Sequence, residues 1–302
     1  MSRFAEWLSG RNPRRRVLFS SARRRLTSVT VRGDQIADQL GGSCLRSRYL
    51  APPCLENAEA LIWIVQPELS IFRRYLGRIR QILDVVNPGD WRTEGAEKGF
   101  SDFSHLILNT VATERYLGPG PESGRTCWVI PHHHCNFRGY RLPEERLARP
   151  KVVGYLGQSA HLHDSEIIES AVRKLGLEFR TFRDTELERY AEIDIGVAWT
   201  QRDTQRDETR SNIKLSNFAA HGIPSVVCDY VSYRDVGLRL RQPVAQFAST
   251  IEEFVEGLAE LVENEDLRRR LHSSADAALH AYSASTIAQE YRGMLDCFPA
   301  QR

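Results

Sequence analysis

Short apolar runs alternate with amphipathic stretches along the whole chain, and this alternation constrains the fold more than any other feature of the sequence. An apolar run of about four to eight residues, bounded by turn residues, has the length of a buried strand. The longer amphipathic stretches between the runs have helical periodicity. Because strands that alternate with helices form parallel sheets with helices on their faces, the sequence predicts an α/β fold.

The apolar runs fall into two series. The strand candidates of the first series are residues 16–21, 60–65, 82–86, 105–110 and 127–131, and those of the second are residues 151–157, 178–182, 194–199, 224–229 and 244–249. A polar segment rich in arginine and proline, residues 136–150, separates the series and is interpreted as a linker between domains. We therefore expect two Rossmann-like domains, with a ligand at the carboxyl ends of the strands in the cleft between them.

Composition excludes several classes of protein. The 41 basic residues nearly balance the 39 acidic ones, so the formal charge of +2 gives no field that favours nucleic acid as a partner. No stretch of about 18 apolar residues occurs, so we expect a cytoplasmic protein that does not span a membrane. Near the N-terminus, Phe4, Trp7 and Leu8 lie close to three arginines at residues 14–16 and could make peripheral contact with an anionic membrane surface.

One of the four lysines of the chain, Lys214, opens the stretch KLSNFAAHGIPSVVCD. This stretch predicts the back half of a helix, a break at Gly222 and a short strand. We expect Arg210 and Lys214 to lie one helical turn apart, near a helix N-terminus whose unpaired N–H groups favour an anion. A nucleotide diphosphate suits this arrangement, and the alternative is that both cations form ordinary salt bridges with Asp207, Glu208 or other surface acids.

From about Asp194 onward, four successive segments resemble the nucleotide-sugar-binding domain of GT-B glycosyltransferases, in particular the retaining group 1 set. They are YAEIDIGVAW, IKLSNFAAHGIPSVV, STIEEFVEGLAELVENEDLRRRL and YSASTIAQEYRGML. The resemblance implies a Rossmann-like acceptor domain at residues 1–145 and a nucleotide-sugar-binding domain at residues 146–283. It also implies a C-terminal helix, residues 284–302, that packs back on the N-terminal domain.

The resemblance further implies a glycosyltransferase of the hexosyltransferase type. Such an enzyme moves a sugar from a nucleotide-diphosphate donor, UDP- or GDP-linked, to an acceptor that the sequence does not identify. Arg210 and Lys214 then bind the donor and act in catalysis on the departing diphosphate. The resemblance implies two further pairs of contact residues: Gly157 and Gln158 for the donor, and Arg32 and Gly33 for an acceptor or phosphate.

The sequence departs from the family pattern at two positions. Retaining members carry two glutamates separated by seven residues, whereas this chain has Thr209 and Asn217 at those positions. We expect the amide of Asn217 to contact the donor ribose in place of a carboxylate. The stereochemical outcome and the donor's base and sugar therefore stay open.

The run VIPHHHCNF contains three histidines and Cys135, residue types that bind zinc. Neighbouring side chains of an extended segment point to opposite sides, so the three histidines and Cys135 cannot converge on one zinc ion. We expect no metal and no cofactor besides the donor, because no paired-carboxylate D-x-D motif follows a strand. His133 is the histidine that we favour as a base or hydrogen-bond donor.

Two alternatives keep the fold and change the function. A nucleotide-sugar epimerase would need no separate acceptor. A catalytically silent GT-B protein that binds a glycan or another protein would explain the missing glutamates. Hydrolysis of a nucleotide sugar would favour either enzyme over the silent protein, and a requirement for an acceptor would separate the transferase from the epimerase.

Overall fold

The chain forms two compact units in a computed structural model. The structure describes residues 17–22, 29–47, 50, 55, 58–86, 102–117, 124–200 and 209–298. The first unit comprises residues 1–108, 118–130 and 288–302, and the second comprises residues 109–117 and 131–287. The N-terminal residues for which membrane contact is predicted lie outside the described ranges.

A six-stranded parallel sheet forms the centre of the first unit. Its strands are β1 (Val17–Ser21), β2 (Ser43–Arg46), β3 (Ala60–Ile64), β4 (Arg80–Val85), β5 (His105–Leu108) and β6 (Thr126–Val129), in the order β2-β1-β3-β4-β5-β6. β1 and β3 are buried along their whole length, as expected for inner strands covered on both faces. The helical elements among them are a π-helical segment, Val29–Asp34, and helices Gln35–Leu40 and Leu69–Arg74.

The helix Ala284–Asp296 begins in the second unit, and its residues from Ala288 onward belong to the first unit. The hydroxyl of Tyr291 donates a 2.6 Å hydrogen bond to the Asp84 carboxylate at the end of β4. The Tyr291 ring also packs against Phe19 of β1. These contacts fix the C-terminal residues to the first sheet.

A five-stranded parallel sheet forms the centre of the second unit. Its strands are β7 (Val152–Leu156), β8 (Glu178–Phe182), β9 (Ile195–Ala198), β10 (Ser225–Cys228) and β11 (Gln246–Ala248), in the order β11-β10-β9-β7-β8. β8 and β9 thus pair with opposite sides of β7. The winding of the chain reverses between β7 and β9, and a parallel sheet opens a crevice for ligands beyond the carboxyl ends of the strands at such a point.

Helices surround this second sheet, and local sequence signals set several of their ends. The helices are Val111–Leu117, Glu144–Ala148, Ser165–Lys174, Ile213–Ala220, Val231–Leu240, Ile251–Glu263, Glu265–His272 and Ala275–Ala281. The Thr250 side chain accepts from the Glu253 N–H and caps the longest of them. Gly222 follows the Ile213–Ala220 helix with a φ of 65°, the left-handed conformation that glycine adopts without strain. None of the helices in the described ranges combines the length and the apolarity that a membrane crossing needs.

The sequence predictions for the strands are confirmed, since every predicted apolar run overlaps a strand. β2 is the exception that the sequence did not predict, because it is an edge strand with half-exposed residues and no apolar run. The prediction that residues 136–150 form a linker is wrong. This segment belongs to the second unit, where Leu142 and Leu147 are each 1% exposed and the Leu142 N–H donates to the His221 carbonyl at 2.9 Å.

Candidate functional site

The candidate site lies in the second unit, at the reversal between β7 and β9. The loop after β7 carries Gly157 and Gln158. The segment that returns after β9 carries Thr209 and Arg210 and leads into the Ile213–Ala220 helix. The parallel register of the two strands brings both connections to the same end of the sheet.

Lys214 folds back from this helix onto the end of β7. Its ammonium nitrogen Nζ donates a 3.0 Å hydrogen bond to the Leu156 carbonyl oxygen and lies 4.7 Å from the centre of the Tyr155 ring. Within the described part of the chain, no carboxylate lies within ion-pair distance of Lys214. The ordinary salt bridge considered for this residue is therefore absent among the described residues, while Asp207 and Glu208 lie outside them.

Electrostatics at Lys214 weaken its hold on its proton. Burial of the ammonium, together with the neighbouring charge of Arg210, lowers its pKa to about 8. Asp184, which lies just after the end of β8, acts in the opposite direction. Burial and the charge of Arg210 both disfavour the charged form of Lys214, and a bound anion would stabilise it. The surroundings of the Lys214 ammonium are therefore suited to a phosphate.

Gly157 allows this close approach of the ammonium to the strand end. A Cβ atom at residue 157 would lie 2.4 Å from Lys214 Nζ and 2.7 Å from the Tyr155 hydroxyl oxygen. That hydroxyl in turn donates a 3.0 Å hydrogen bond to the Gln158 carbonyl. Any larger residue at position 157 would have to displace the ammonium, so the observed position of Lys214 Nζ requires glycine at position 157.

The helix N-terminus adds backbone donors to this cationic end. The first N–H groups of a helix have no partner within the helix, and the side chain of Asn212, at the capping position, does not cap them. The prediction that Arg210 and Lys214 lie one helical turn apart is wrong, because the helix begins at Ile213 and Arg210 precedes it. Arg210 still lies near enough for its charge to influence Lys214 and Tyr155.

Gln158 is the remaining residue of this loop for which donor contact is predicted. Its side chain is exposed, and its amide donates a 3.3 Å hydrogen bond to Asp184. Tyr155 and Asp184 were not identified from the sequence. Tyr155 lies in a strand as an ordinary apolar position, and Asp184 is one of many acidic residues in loops, so only the sheet order places them beside Lys214.

His133 and His134 are both buried and have different partners. His134 Nε2 donates to the Leu279 carbonyl at 2.8 Å, and its Nδ1 accepts from the Asn136 N–H at 3.1 Å. Both ring nitrogens of His134 are thus engaged, and burial lowers its pKa. His133 Nδ1 lies 2.7 Å from the His134 carbonyl, which can only accept, so Nδ1 carries the proton and Nε2 is the basic nitrogen of the neutral ring.

A metal cluster is not found in this region. Within the described ranges, no group of three or more His, Cys, Asp or Glu side chains is arranged to hold a metal ion. The metal-independent mechanism stays a prediction.

Asn217, for which ribose contact is predicted, is fully buried. Its Oδ1 accepts from the Cys135 N–H at 2.7 Å, and its Nδ2 donates to the Ile213 carbonyl at 2.7 Å. Both amide atoms are engaged by the chain itself, so a contact with the donor stays a prediction that the hydrogen bonds of Asn217 do not support. Thr209, at the other glutamate position, is 2% exposed.

Arg32 and Gly33 lie in the first unit, in the π-helical segment. The Arg32 Nε donates to both Asp84 carboxylate oxygens at 2.8–2.9 Å, and its Nη1 donates to the Ile130 carbonyl at 2.9 Å. Arg32 is 1% exposed, and a Cβ at Gly33 would lie 2.8 Å from Cys44 Sγ. Both residues therefore have packing roles in the structure, and their contact with an acceptor or phosphate stays a prediction.

Comparison with solved structures identifies the fold. The HepE protein of Anabaena, solved in complex with UDP and glucose, superposes with a TM-score of 0.67 at 12% identity, over 94% of this chain and 100% of that one. Sucrose-phosphate synthase of Thermosynechococcus elongatus gives a TM-score of 0.63 at 10% identity, and WaaG, a glycosyltransferase involved in lipopolysaccharide biosynthesis, gives 0.57 at 10% identity. Both of these cover 94% of this chain and 100% of their own.

These likenesses show that the chain has the GT-B fold, with two parallel-sheet α/β units. They confirm the fold that the sequence resemblance implies. No protein-family model matches the chain. No curated protein matches it by sequence either.

Proposed function

We propose that the protein is a glycosyltransferase that transfers a sugar from a nucleotide-diphosphate donor bound by the second unit. The observation that carries this proposal is the half-buried ammonium of Lys214, beside a helix N-terminus and without a carboxylate partner among the described residues. The solved proteins of the same fold support it, because HepE structures contain UDP or UDP-glucose. We propose the hexosyltransferase type on the same grounds.

The reaction needs positive charge where the diphosphate departs. Breaking the bond between sugar and phosphate leaves negative charge on the leaving nucleotide, and a cation fixed in advance stabilises that charge as it develops. Lys214 and Arg210 supply such cations, and the helix N-terminus supplies N–H donors. His133 Nε2 is our candidate for the base or hydrogen-bonding group near the sugar or acceptor.

We propose that this charge stabilisation needs no divalent metal and no cofactor besides the donor. Turnover should then survive treatment with EDTA. Loss of turnover with the chelator, restored by Mn²⁺ or Mg²⁺, would contradict the assignment of the cationic role to side chains. We also propose that the enzyme is cytoplasmic and makes peripheral membrane contact through residues 1–16.

A binding experiment tests the donor class. UDP and GDP should each be compared with NAD for the shift that they cause in the melting temperature. A ligand present at about 100 times its dissociation constant adds about 2.7 kcal/mol to stability, a readily measured shift. We expect a shift with UDP or GDP and none with NAD, and the absence of any shift with both nucleoside diphosphates would contradict the proposal.

A second candidate function is a silent GT-B protein that binds a glycan or another protein. The observation that favours it is the absence of glutamate at two buried positions, which are occupied by Thr209 and Asn217. Release of UDP from UDP-glucose by the wild-type protein separates the two functions. Measurable release supports the enzyme, and UDP binding without any release under prolonged incubation supports the silent protein.

A further inference from the structure

Three asparagine side chains join the histidine segment, residues 132–136, to the Ile213–Ala220 helix. Asn212 exchanges two hydrogen bonds with the backbone of His132, accepting from its N–H at 3.0 Å and donating to its carbonyl at 3.2 Å. Asn217 accepts from the Cys135 N–H at 2.7 Å. Asn136, from the segment itself, donates to the Ala220 carbonyl at 2.8 Å. The segment is thus fixed to the helix near its start, middle and end.

Burial gives these bonds their importance. Asn212 is 2%, Asn217 0% and Asn136 4% exposed, so water cannot replace a lost partner readily. A buried polar group left without a partner costs about 1–3 kcal/mol. A shift of the segment by one residue would unpair several such groups at once, and the bonds therefore specify a single register of the segment on the helix.

The helix that receives the segment also carries Lys214, only a few residues from both Asn212 and Asn217. The segment carries His133, whose backbone lies between the two anchored residues His132 and Cys135. The same helix consequently fixes the proposed phosphate-binding cation and the proposed base. Asn217, which has both amide atoms engaged and no exposed surface, is directed at this segment and not at solvent.

We propose that Asn212 and Asn217 are positioning residues that place His133 relative to Lys214 for the transfer reaction. This inference rests on the proposed function, since it concerns the geometry of that reaction. It assigns Asn217 a role in turnover through His133 in place of a contact with the donor ribose. Reacting groups must be placed closely, and a displacement of about 1 Å can lower a rate by about a hundredfold.

Amide hydrogen exchange tests the anchoring without any assay of turnover. Asn217→Ala should speed the exchange of the Cys135 amide by at least about tenfold, because that N–H loses its buried acceptor. Ser216→Ala is the matched control: Ser216 is also fully buried, and its hydroxyl donates to the Ile213 carbonyl, which Asn217 also uses, without touching the segment. Unchanged exchange at Cys135 in Asn217→Ala would contradict the anchoring.

Turnover, measured as UDP release from UDP-glucose, tests the role through His133. Asn217→Ala should lower kcat by about tenfold or more while the Kd for UDP changes by less than about threefold. A ribose contact would instead weaken UDP binding by about as much as it lowers kcat/KM. Asn212→Ala releases only His132 and provides a second variant if Asn217→Ala does not fold.

A double-mutant cycle gives the decisive comparison. If Asn217 acts through His133, the change Asn217→Ala should cause little further loss of kcat in a protein that already carries His133→Ala. If the two substitutions lower kcat independently, so that their effects multiply, the inference is overturned. A His133→Ala variant with full turnover would overturn it as well, and both outcomes would leave UDP binding and the proposed function intact. A wild-type protein that binds neither UDP nor GDP would instead refute the proposed function, and the positioning role with it.

Discussion

The ammonium nitrogen of Lys214 lies 3.0 Å from the Leu156 carbonyl oxygen, at the carboxyl end of β7. This bond uses one of the three N–H donors of a lysine and leaves others for a ligand. It also fixes the cation at the point where the sheet reverses its winding, beside Gly157 and the helix N-terminus. The affinity of this site for a diphosphate should therefore depend on the protonation of one side chain.

UDP affinity should fall as the pH rises through about 8, the pKa to which burial lowers the Lys214 ammonium. A bound diphosphate favours the charged ammonium and raises this pKa, so binding takes up a proton where the free protein has lost it. Well below pH 8 the ammonium is charged in both states and affinity is greatest. Between pH 7 and pH 9 the Kd should rise about tenfold.

Isothermal titration calorimetry in two buffers of different ionisation enthalpy measures this proton uptake at pH 8.5. Lys214→Arg is the control, because arginine stays protonated over the whole range. A Kd for the wild type that does not change between pH 7 and pH 9 would show that Lys214 does not bind the diphosphate.

Gly157→Ala should weaken UDP binding by displacing the ammonium, since its Cβ would lie 2.4 Å from Lys214 Nζ. Losing one charge-assisted hydrogen bond, worth about 1.5–3 kcal/mol, raises Kd by at least about tenfold. Gly293→Ala is the control, because an added Cβ there meets no atom within 4 Å. Equal UDP affinities for the two variants would refute the link between Gly157 and Lys214.

Asp84→Ala should destabilise the first unit strongly, by about 3–5 kcal/mol, because it leaves the buried Arg32 guanidinium without its counter-ion. Burial lowers the pKa of Arg32, but the charge and hydrogen bond of Asp84, together with the influence of Tyr291 and Glu290, outweigh burial and leave the pKa raised. Tyr291→Phe removes one hydrogen bond to the same carboxylate and should cost only about 1 kcal/mol.

Urea unfolding measures both changes. Arg173→Ala, which breaks an exposed pair with Glu169 on a helix surface, should change the free energy of unfolding by less than about 0.5 kcal/mol. If Asp84→Ala proves no more destabilising than Arg173→Ala, the structural role of Arg32 is wrong and its predicted contact with a ligand regains support.

The strands could be predicted from the sequence because an apolar run is a local signal, and inner parallel strands such as β3 and β7 are apolar throughout. The prediction for residues 136–150 fails because their polar, arginine-rich composition is typical of a linker. Leu142 and Leu147 are apolar anchors too widely spaced in that segment to form a run, and only their tertiary contacts reveal that it is packed.

The candidate site divides in the same way. The sequence predicts a role for Lys214 and for Gly157 because a helix start and a glycine after a strand have recognisable local patterns. The hydrogen-bond partners of Arg32, Asn212 and Asn217 lie far away in the sequence. No local pattern therefore distinguishes a buried side chain that is hydrogen-bonded within the protein from one that is available to a ligand. The sheet order, which sequence patterns do not give, is what brings Tyr155 and Asp184 to Lys214.

Turnover and UDP binding of Lys214→Ala, beside the wild type, test the central claim most directly. A cation that acts on the developing charge of the leaving diphosphate contributes more to the transition state than to binding. Release of UDP from UDP-glucose should therefore fall by at least about tenfold, the factor that 1.36 kcal/mol represents. The melting temperature without ligand should barely change, and Lys214→Arg should recover only part of the rate, because a planar guanidinium replaces a compact ammonium poorly. Full turnover and unchanged UDP affinity in both variants would show that Lys214 is an ordinary helix residue and would contradict the account.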